Sequence, residues 1–407
     1  MNENEPTAGR EAALNPAIVV LAHRRVRSLD RLLRSLADTD CPEGTPLVIS
    51  IDGGGSPGVI ERARAFVWRS GPKDVRIQSN RLGLREHVLA CGDLSQDFGA
   101  VVMLEDDLVV ARGFMRYALQ ALRVSGAVSD IAQVALYAPH INEVNGLPFE
   151  PVDTGFPAFL MQVPCSWGQA WTAAQWRAFR AWLEDGSNVA GAAGELPAVM
   201  RDWPASSWKR LFAAYLVDSG RYVLYPYRSR SSNHGDAGTH VRMASRRFDV
   251  PLTLMGAESE DRMHSACREA LRYDIWGQME PRSLHAMTGG AWPEEVTIDL
   301  QGSKSAEGRV QGPVLSQLAL DDVEQRWPLD VRPVELNVLR ESGATGEIMR
   351  GRRRRPVGWW EYRRLQARLF RQAVGEPRAD LVLVWGLNVV VRAITGRVFR
   401  WRWHSRK

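Results

Sequence analysis

Long apolar runs alternate with helical patterns between residues 17 and 139. The runs are AIVVLAH (17–23), PLVISID (46–52), VRIQSN (75–80), AVVMLEDD (100–107) and IAQVALYAP (131–139). Strands that are apolar at nearly every position are typical of sheets buried on both faces, and helices between them indicate parallel pairing. The pattern therefore predicts an α/β fold in which a mostly parallel sheet is covered by helices.

The pattern is less regular after this segment. We predict helices near 172–184 and 206–219, a strand at 222–229 and a loop at 231–240. The loop is indicated by its Ser, Asn and Gly content. Residues 246–350 give only a weak mixed signal, and they predict no particular element.

A helical pattern returns in the sequence WWEYRRLQARLFRQAV (359–374). Trp359, Leu365 and Leu369 share its apolar side, whereas Arg364 and Arg368 lie opposite, so the segment predicts a basic amphipathic helix. We divide the chain into a disordered N-terminus (1–15), a main domain (16–245), a C-terminal extension of undefined fold (246–350) and a basic amphipathic tail (351–407).

Charge is distributed unevenly along the 407 residues. The net charge is +5, but residues 352–407 contain 15 Lys or Arg and three Asp or Glu, a net +12, which leaves the preceding residues at −7. An acidic body without a nucleic-acid-binding motif argues against a nucleic-acid partner. The tail is instead a candidate for binding an anionic membrane surface.

Compartment is indicated by the cysteines and the N-terminus. Cys41, Cys91, Cys165 and Cys267 are scattered without a CxxC pair, which favours reduced thiols over a disulfide framework or zinc site. No apolar signal-peptide core precedes Leu14, and the longest apolar run, residues 381–391, is shorter than the ~20 residues that a membrane span requires. We expect a cytoplasmic protein, peripheral to the inner face of the membrane where its tail binds.

The fourth predicted strand ends in three acids, Glu105, Asp106 and Asp107. Ligands of α/β sheets bind at the carboxyl ends of strands, and carboxylates suit Mg²⁺ or Mn²⁺ that also bind substrate phosphates. A solvated acidic turn is the alternative interpretation. No Gly-rich phosphate loop follows the first strand, which argues against a dinucleotide enzyme or a P-loop NTPase.

Two further positions have both a functional and a structural interpretation. Asp52 precedes three glycines at the end of the second strand, where it would contact a base or ribose, or simply begin a turn. His240 lies in the predicted loop at 231–240 and is either a ligand or a structural residue.

Taken together, these segments resemble the GT-A nucleotide-sugar glycosyltransferases. The chain is most similar to bacterial relatives of the N-acetylglucosaminyltransferase I-like family, over about residues 16–245. The resemblance is carried by VVLAHRRVRSLDRLLRSL, VISIDGG, NRLGLREHVLACGD, VVMLEDDLVVARGFMRYAL, CSWGQAWTAAQW and SSWKRLFAAYLVDSGRYVLYPYRSRSSNHGDAGTH. It implies a GT-A, Rossmann-like fold for the main domain.

The resemblance implies a donor site built from the first three strand ends. Asp52 corresponds to the acid that contacts uracil or ribose. Ala22 and Arg25 correspond to the first-strand turn that packs on the base. Asn80 and Arg85 correspond to the segment that flanks the diphosphate.

The resemblance also implies a metal site. Asp107 corresponds to the metal-binding acid of the family's DxD-like motif, with Glu105 and Asp106 supporting the ribose and the metal-bound water. His240 corresponds to the histidine that completes the metal or diphosphate site. The implied cofactor is Mn²⁺ or Mg²⁺.

On the acceptor side, Trp167 and Gly168 correspond to the family's acceptor loop. The family often has Ser-Trp-Asp where this chain has Ser-Trp-Lys, ending at Lys209. A protonated Lys cannot take the proton of an acceptor hydroxyl. The general base is then Asp202 or Asp236.

The sequence therefore predicts a metal-dependent, inverting glycosyltransferase. It would move a hexosyl or N-acetylhexosaminyl group from a nucleoside-diphosphate sugar, such as a UDP-sugar, to a glycan or lipid-linked acceptor in surface polysaccharide or glycolipid assembly. The alternative, favoured by Lys209, is a catalytically weak sugar-nucleotide-binding protein of the same fold.

Overall fold

The computed structural model describes residues 14–236, 246–254 and 260–375, together with Leu383, Gly386 and Leu387. His240, nearly all of the predicted N-terminal segment and most of the tail beyond residue 375 lie outside the described residues.

The strands of the described chain follow the predicted order and continue beyond it. They are β1 (Ala17–Ala22), β2 (Leu47–Ile51), β3 (Lys73–Ile77), β4 (Ala100–Glu105), β5 (Leu108–Val110), β6 (Ile131–Ala135), β7 (Ala158–Met161), β8 (Gln169–Thr172), β9 (Tyr222–Pro226), β10 (Ser231–Asn233), β11 (Arg272–Tyr273), β12 (Thr297–Asp299), β13 (Pro313–Ser316), β14 (Asp322–Trp327) and β15 (Ile348–Arg352).

The helices alternate with the strands in the first third of the chain. They are α1 (Val26–Ala37), α2 (Pro57–Ala65), α3 (Leu84–Asp93), α4 (Ser95–Phe98), α5 (Phe114–Ser125), α6 (Ala173–Asp185), α7 (Val189–Glu195), α8 (Ala198–Arg201), α9 (Trp208–Asp218), α10 (Glu260–Glu269), α11 (Pro281–Met287), α12 (Ser303–Ala306) and α13 (Trp359–Val374). Short 3-10 turns lie at Arg246–Phe248 and Val334–Leu339.

Nine strands form the main sheet, in the order β11-β7-β9-β6-β8-β4-β1-β2-β3. Five of its neighbouring pairs are parallel (β11–β7, β9–β6, β4–β1, β1–β2 and β2–β3), and the other three are antiparallel. The predicted α/β class, with a mostly parallel sheet covered by helices, is therefore confirmed.

The apolar strand β1 has a core on each face because successive side chains point to opposite sides of a strand. Val19 and Leu21 belong to the core beneath α3, α6 and α9, whereas Ile18 and Val20 belong to the core beneath α1, α2 and α5. This two-sided burial explains why β1 contains no polar position.

Residues 246–350 contribute to two sheets. β11 pairs with β7 at the edge of the main sheet, and α10 packs against α5. The rest forms a second sheet in the order β12-β13-β15-β14, whose apolar side shares one core with the main sheet. Strand β15 runs through the predicted boundary between residues 350 and 351, and the predicted tail helix is α13.

The described residues contain neither a membrane-spanning helix nor a disulfide. Within the residues that the structure describes, no helix is long and apolar enough to cross a membrane. The four cysteines are unbridged, and Cys91, Cys165 and Cys267 are buried.

Candidate functional site

The carboxyl ends of β4, β1 and β2 lie side by side because these strands are parallel neighbours. Leu21 pairs with Glu105, and Ala22 pairs with Ile51. The buried Ala22 also accepts a hydrogen bond of 3.0 Å at its carbonyl from the amide of Asp52. The acidic strand end and Asp52, which are far apart in sequence, therefore emerge at one edge of the sheet.

Asp52 is buried and anchors the loop after β3. Its Oδ1 accepts hydrogen bonds from the amides of Gly53 and Leu82, both at 2.8 Å, and its Oδ2 accepts one from Gly83 at 3.1 Å. Burial opposes ionisation of this carboxyl, but the three amides hold the pKa of Asp52 below its usual range. The observed role is to position a loop, and a contact of Asp52 with a nucleoside stays a prediction.

The anchored loop carries Asn80, whose side chain is exposed at the sheet edge. The loop lies close to Gly53, where a Cβ atom would stand 2.1 Å from the carbonyl carbon of Asn80. Arg85 follows in the first turn of α3, partly exposed and paired with Glu86 at 2.7 Å. Both predicted diphosphate-flanking residues are therefore accessible.

Arg25 lies against the acidic strand end. Its guanidinium donates a hydrogen bond of 2.8 Å to Asp107 Oδ2 and a second, very short one to Asp106 Oδ1. Burial opposes the charge of this guanidinium, but the two carboxylates raise the pKa of Arg25. Arg25 was predicted to pack on the base, and its observed partners are the two acids.

The pKa values of Glu105 and Asp106 are both raised by their surroundings. Burial and the neighbouring carboxylate of Asp107 raise the pKa of Glu105 to about 8. Burial raises the pKa of Asp106 to about 6, against the attraction of Arg25. The strand end is thus a crowded set of carboxylates beside the Arg25 guanidinium, where further positive charge would be favourable.

The acids fit a divalent cation. Asp107 Oδ1 is buried and has no hydrogen-bond partner within the described residues. An orphaned buried carboxylate oxygen is costly unless a ligand satisfies it. In the part of the chain that the structure describes, no group of three or more His, Cys, Asp or Glu is arranged to hold a metal ion. One or two carboxylates suffice where substrate phosphates supply the remaining ligands, as is common for Mg²⁺.

A loop from late in the chain closes over the acids. Strand β10 pairs antiparallel with β5, and the amide of His234 donates a hydrogen bond of 3.0 Å to the carbonyl of Asp107. Two residues later, Asp236 accepts hydrogen bonds from Ser28 at 2.6 Å and from Arg31. Burial opposes ionisation of this carboxyl, but the two donors lower the pKa of Asp236. Asp236 therefore ties this loop to α1.

A charged pair lies on the predicted acceptor side. Lys209 Nζ contacts the carboxylate oxygens of Glu143 at 2.9 and 3.2 Å, and both side chains are largely buried. The ammonium also lies 5.1 Å from the ring centre of Trp167 and 5.0 Å from that of Trp203. Lys209 and Glu143 thus form an ion pair between two aromatic rings.

Trp167 and Glu143 line one pocket, together with Tyr137, Pro139, Ile141, Asn142, Phe149, Met161, Val163, Tyr225 and Gly277. Gly168 supports this wall with a φ of +93°, and a Cβ there would stand 2.7 Å from Ser231 Oγ. Asp202 is exposed at the end of α8, next to Trp203. Trp167 is the predicted site residue that lines this pocket.

Sequence reasoning missed three residues of this region. Glu143 lies in an irregular segment with no motif, so nothing in the sequence marked it. His234 belongs to the loop that was singled out for His240, and its neighbour Gly235 was the visible signal. His23 follows β1, and its Nε2 is buried without a partner in the described part of the chain.

Comparisons with known proteins give distant structural matches. No family model matches the chain, and no curated protein does. A mannosyltransferase, PcManGT from Pyrobaculum calidifontis in complex with GDP-Man and Mn²⁺, matches at 13% identity and a TM-score of 0.30, over 42% of this chain and 46% of its own. S. aureus TarS 1–349 in complex with UDP matches at 14% identity and a TM-score of 0.32, over 53% of this chain and 59% of its own.

The chain thus spans about half the length of these solved structures. At identities of 13% and 14% and TM-scores of 0.30 and 0.32, these matches do not establish what this chain binds or transfers.

Proposed function

We propose that this chain is a GT-A-type glycosyltransferase that uses a nucleoside-diphosphate sugar. The observation that carries the proposal is the buried acid pair Asp106–Asp107 at the edge of parallel strands, with one Asp107 oxygen that has no hydrogen-bond partner among the described residues. A structural ion pair needs no such orphaned oxygen. A site for a phosphate-bound cation needs a carboxylate oxygen that is free to bind the metal.

The donor would lie across the ends of β1, β2 and β4. Asp107, supported by Asp106, would hold Mn²⁺ or Mg²⁺, which supplies positive charge against the departing diphosphate. The N-terminus of α1, which has no side-chain cap among the described residues, would add a favourable dipole for the anionic diphosphate. Arg25 and Arg85 would provide further positive charge beside the diphosphate, and Asp52 would hold the loop of Asn80 in place.

The acceptor would lie at the pocket that Trp167 and Glu143 line. A hydroxyl oxygen of the acceptor would attack the anomeric carbon as the bond to the diphosphate oxygen breaks, which inverts the configuration. The hydroxyl proton must pass to a carboxylate. Asp202 and Asp236 were predicted for this role, and we add Glu143, which lines the pocket.

Glu143 is favoured by its surroundings. The ion pair with Lys209 holds the Glu143 carboxylate in place, and a carboxylate bonded on one side by an ammonium still has lone pairs with which to accept a proton. Asp236 is already engaged by Ser28 and Arg31. The Lys that replaces the family's usual Asp would thus position a base contributed by another segment.

A donor screen tests the function. The full chain would be incubated with UDP-, GDP- and other nucleotide sugars and Mn²⁺, and release of the nucleoside diphosphate measured with and without glycan acceptors. We expect one donor to raise the melting temperature and to be turned over faster when its acceptor is present. Absence of both effects for every donor at saturating concentration would overturn the proposal.

A second candidate is a sugar-nucleotide-binding protein with little transfer activity, which Lys209 favours because it stands where a base is usual. The same screen separates the two. Donor-dependent stabilisation without multiple turnover would support the binding protein.

A further inference from the structure

Helix α13 has one face fixed to the protein body. Leu365 is only 5% exposed, and Gln366 donates a hydrogen bond of 2.9 Å to the carbonyl of Gln301. Arg368 donates one of 3.0 Å to the carbonyl of Gln317. Two residues that the sequence placed on opposite sides of the helix, Leu365 and Arg368, therefore both face inward.

The opposite face of α13 is left open. Trp359, Trp360 and Phe370 are 60%, 72% and 49% exposed. Arg363, Arg364 and Arg371 are also exposed. At 100° per residue, these six side chains lie within one arc of about 140°. We call this set the outer face of α13.

The composition of the outer face is unusual for a solvated surface. Large aromatic side chains are seldom left this exposed next to one another, and a basic helix with Trp and Phe is typical of segments that lie in the membrane interface. The Arg363 guanidinium lies 5.6 Å from the Trp359 ring centre, so cations and rings share a single surface. The outer face thus combines arginines that suit lipid phosphates with aromatic rings that suit the boundary between headgroups and acyl chains.

The chain that follows has the same character. Residues 381–391 are almost entirely apolar, and residues 392–407 contain six Lys or Arg with Trp401 and Trp403. Leu383 and Leu387 are 64% and 57% exposed. The sequence that follows α13 thus also combines apolar side chains with positive charge.

We propose that the outer face of α13 is a docking surface for an anionic lipid membrane. Trp359, Trp360 and Phe370 would enter the boundary between headgroups and acyl chains, while the three arginines contact lipid phosphates. The packed inner face would hold the helix in a fixed orientation, so the body would lie on the membrane in one pose. The proposal does not depend on glycosyl transfer.

Vesicle sedimentation of the full chain tests the proposal. We expect co-sedimentation with phosphatidylcholine vesicles that contain phosphatidylglycerol, not with phosphatidylcholine alone, and a loss of binding as salt is raised. The triple variant Arg363→Glu, Arg364→Glu and Arg371→Glu should bind at least tenfold more weakly. Trp360→Ser with Phe370→Ser should also weaken binding, at unchanged charge.

The matched control makes the same charge change elsewhere. Arg64, Arg69 and Arg116 are exposed and distant in sequence, and their triple substitution by Glu should leave sedimentation close to the parent level. Circular dichroism and melting temperature would confirm that every variant is folded.

Three results would overturn the proposal. The first is equal binding to neutral and anionic vesicles. The second is unchanged binding of both outer-face variants, which would assign any lipid affinity to the segment after α13. The third is a chain that is dimeric without lipid and becomes monomeric in the outer-face variants while its sedimentation is unaffected, which would make this face a contact between copies.

Discussion

At the residue scale, Asp107 is the position on which the site depends most. Its Oδ2 is held by Arg25, but its Oδ1 is buried without a described partner. Asp107→Asn removes the charge and keeps the shape. We expect it to weaken Mn²⁺-dependent binding of UDP or GDP at least tenfold by titration calorimetry, with little change in melting temperature.

Asp97 provides the control for this substitution. It is exposed, and Asp97→Asn makes the same chemical change on the surface. We expect that variant to bind as the parent does. Equal metal-dependent affinity of the Asp107→Asn and parent proteins would remove Asp107 from the metal site.

Glu143 is the second residue whose role can be tested. If it is the base, Glu143→Gln should lower kcat by ~10²–10⁴-fold with little effect on donor affinity. Asp202→Asn and Asp236→Asn, measured in parallel, decide among the three carboxylates. The variant that loses turnover and the acidic limb of the pH–rate profile identifies the base, and an unaffected Glu143→Gln would refute our assignment.

At the scale of elements, the loop after β3 is held by its approach to Gly53. A methyl group there would stand 2.1 Å from the backbone of Asn80, which cannot yield as a flexible side chain could. Gly53→Ala should therefore displace the loop, break its hydrogen bonds to Asp52 and lower stability by about 1–3 kcal/mol or more. Chemical denaturation and nucleotide titration measure the two effects.

Gly113→Ala is the matched control, since that glycine has a negative φ and open space around its Cβ position. We expect it to leave both stability and nucleotide affinity nearly unchanged. If Gly53→Ala also keeps full nucleotide affinity, the loop has no part in the donor site.

At the scale of the whole molecule, the acids make stability depend on pH. Folding raises the pKa of Asp106 to about 6 and that of Glu105 to about 8, so the folded state binds protons more tightly than the unfolded state. The stability that the protonated carboxyls contribute is fully present below their unfolded pKa values of ~4. It is lost as pH rises through their folded pKa values of about 6 and about 8. The free energy of unfolding, measured by denaturation with EDTA present, should therefore fall over this range.

Glu105→Gln should flatten the upper part of that fall because the amide does not ionise. Glu61→Gln, which changes an exposed Glu, should leave the profile intact. Mn²⁺ should restore stability most strongly near pH 8, where the carboxylates are ionised. A Glu105→Gln profile with the parent's slope would show that Glu105 ionises normally.

Much of the fold was accessible from the sequence because its signals are local. The apolar runs that became β1, β2 and β4 are buried on both faces, and a strand under that constraint leaves an unmistakable pattern. The strand predicted at 75–80 matches the bounds of β3 (Lys73–Ile77) less closely. β3 is the edge strand, partly exposed, and it ends at Ile77, where the loop anchored by Asp52 begins.

The α/β class, the order of the first strands and the acids at the end of β4 could all be predicted from the sequence. These depend on side-chain periodicity and on the rule that parallel strands align their carboxyl ends. The partners of those acids, by contrast, depend on the tertiary fold. Arg25 and Asp236 reach the site by packing across the fold, and Glu143 meets Lys209 across 66 residues, contacts that no local pattern encodes. The same holds for α13. Its helical periodicity was visible in the sequence, but which of its faces points inward depends on the surface against which it packs.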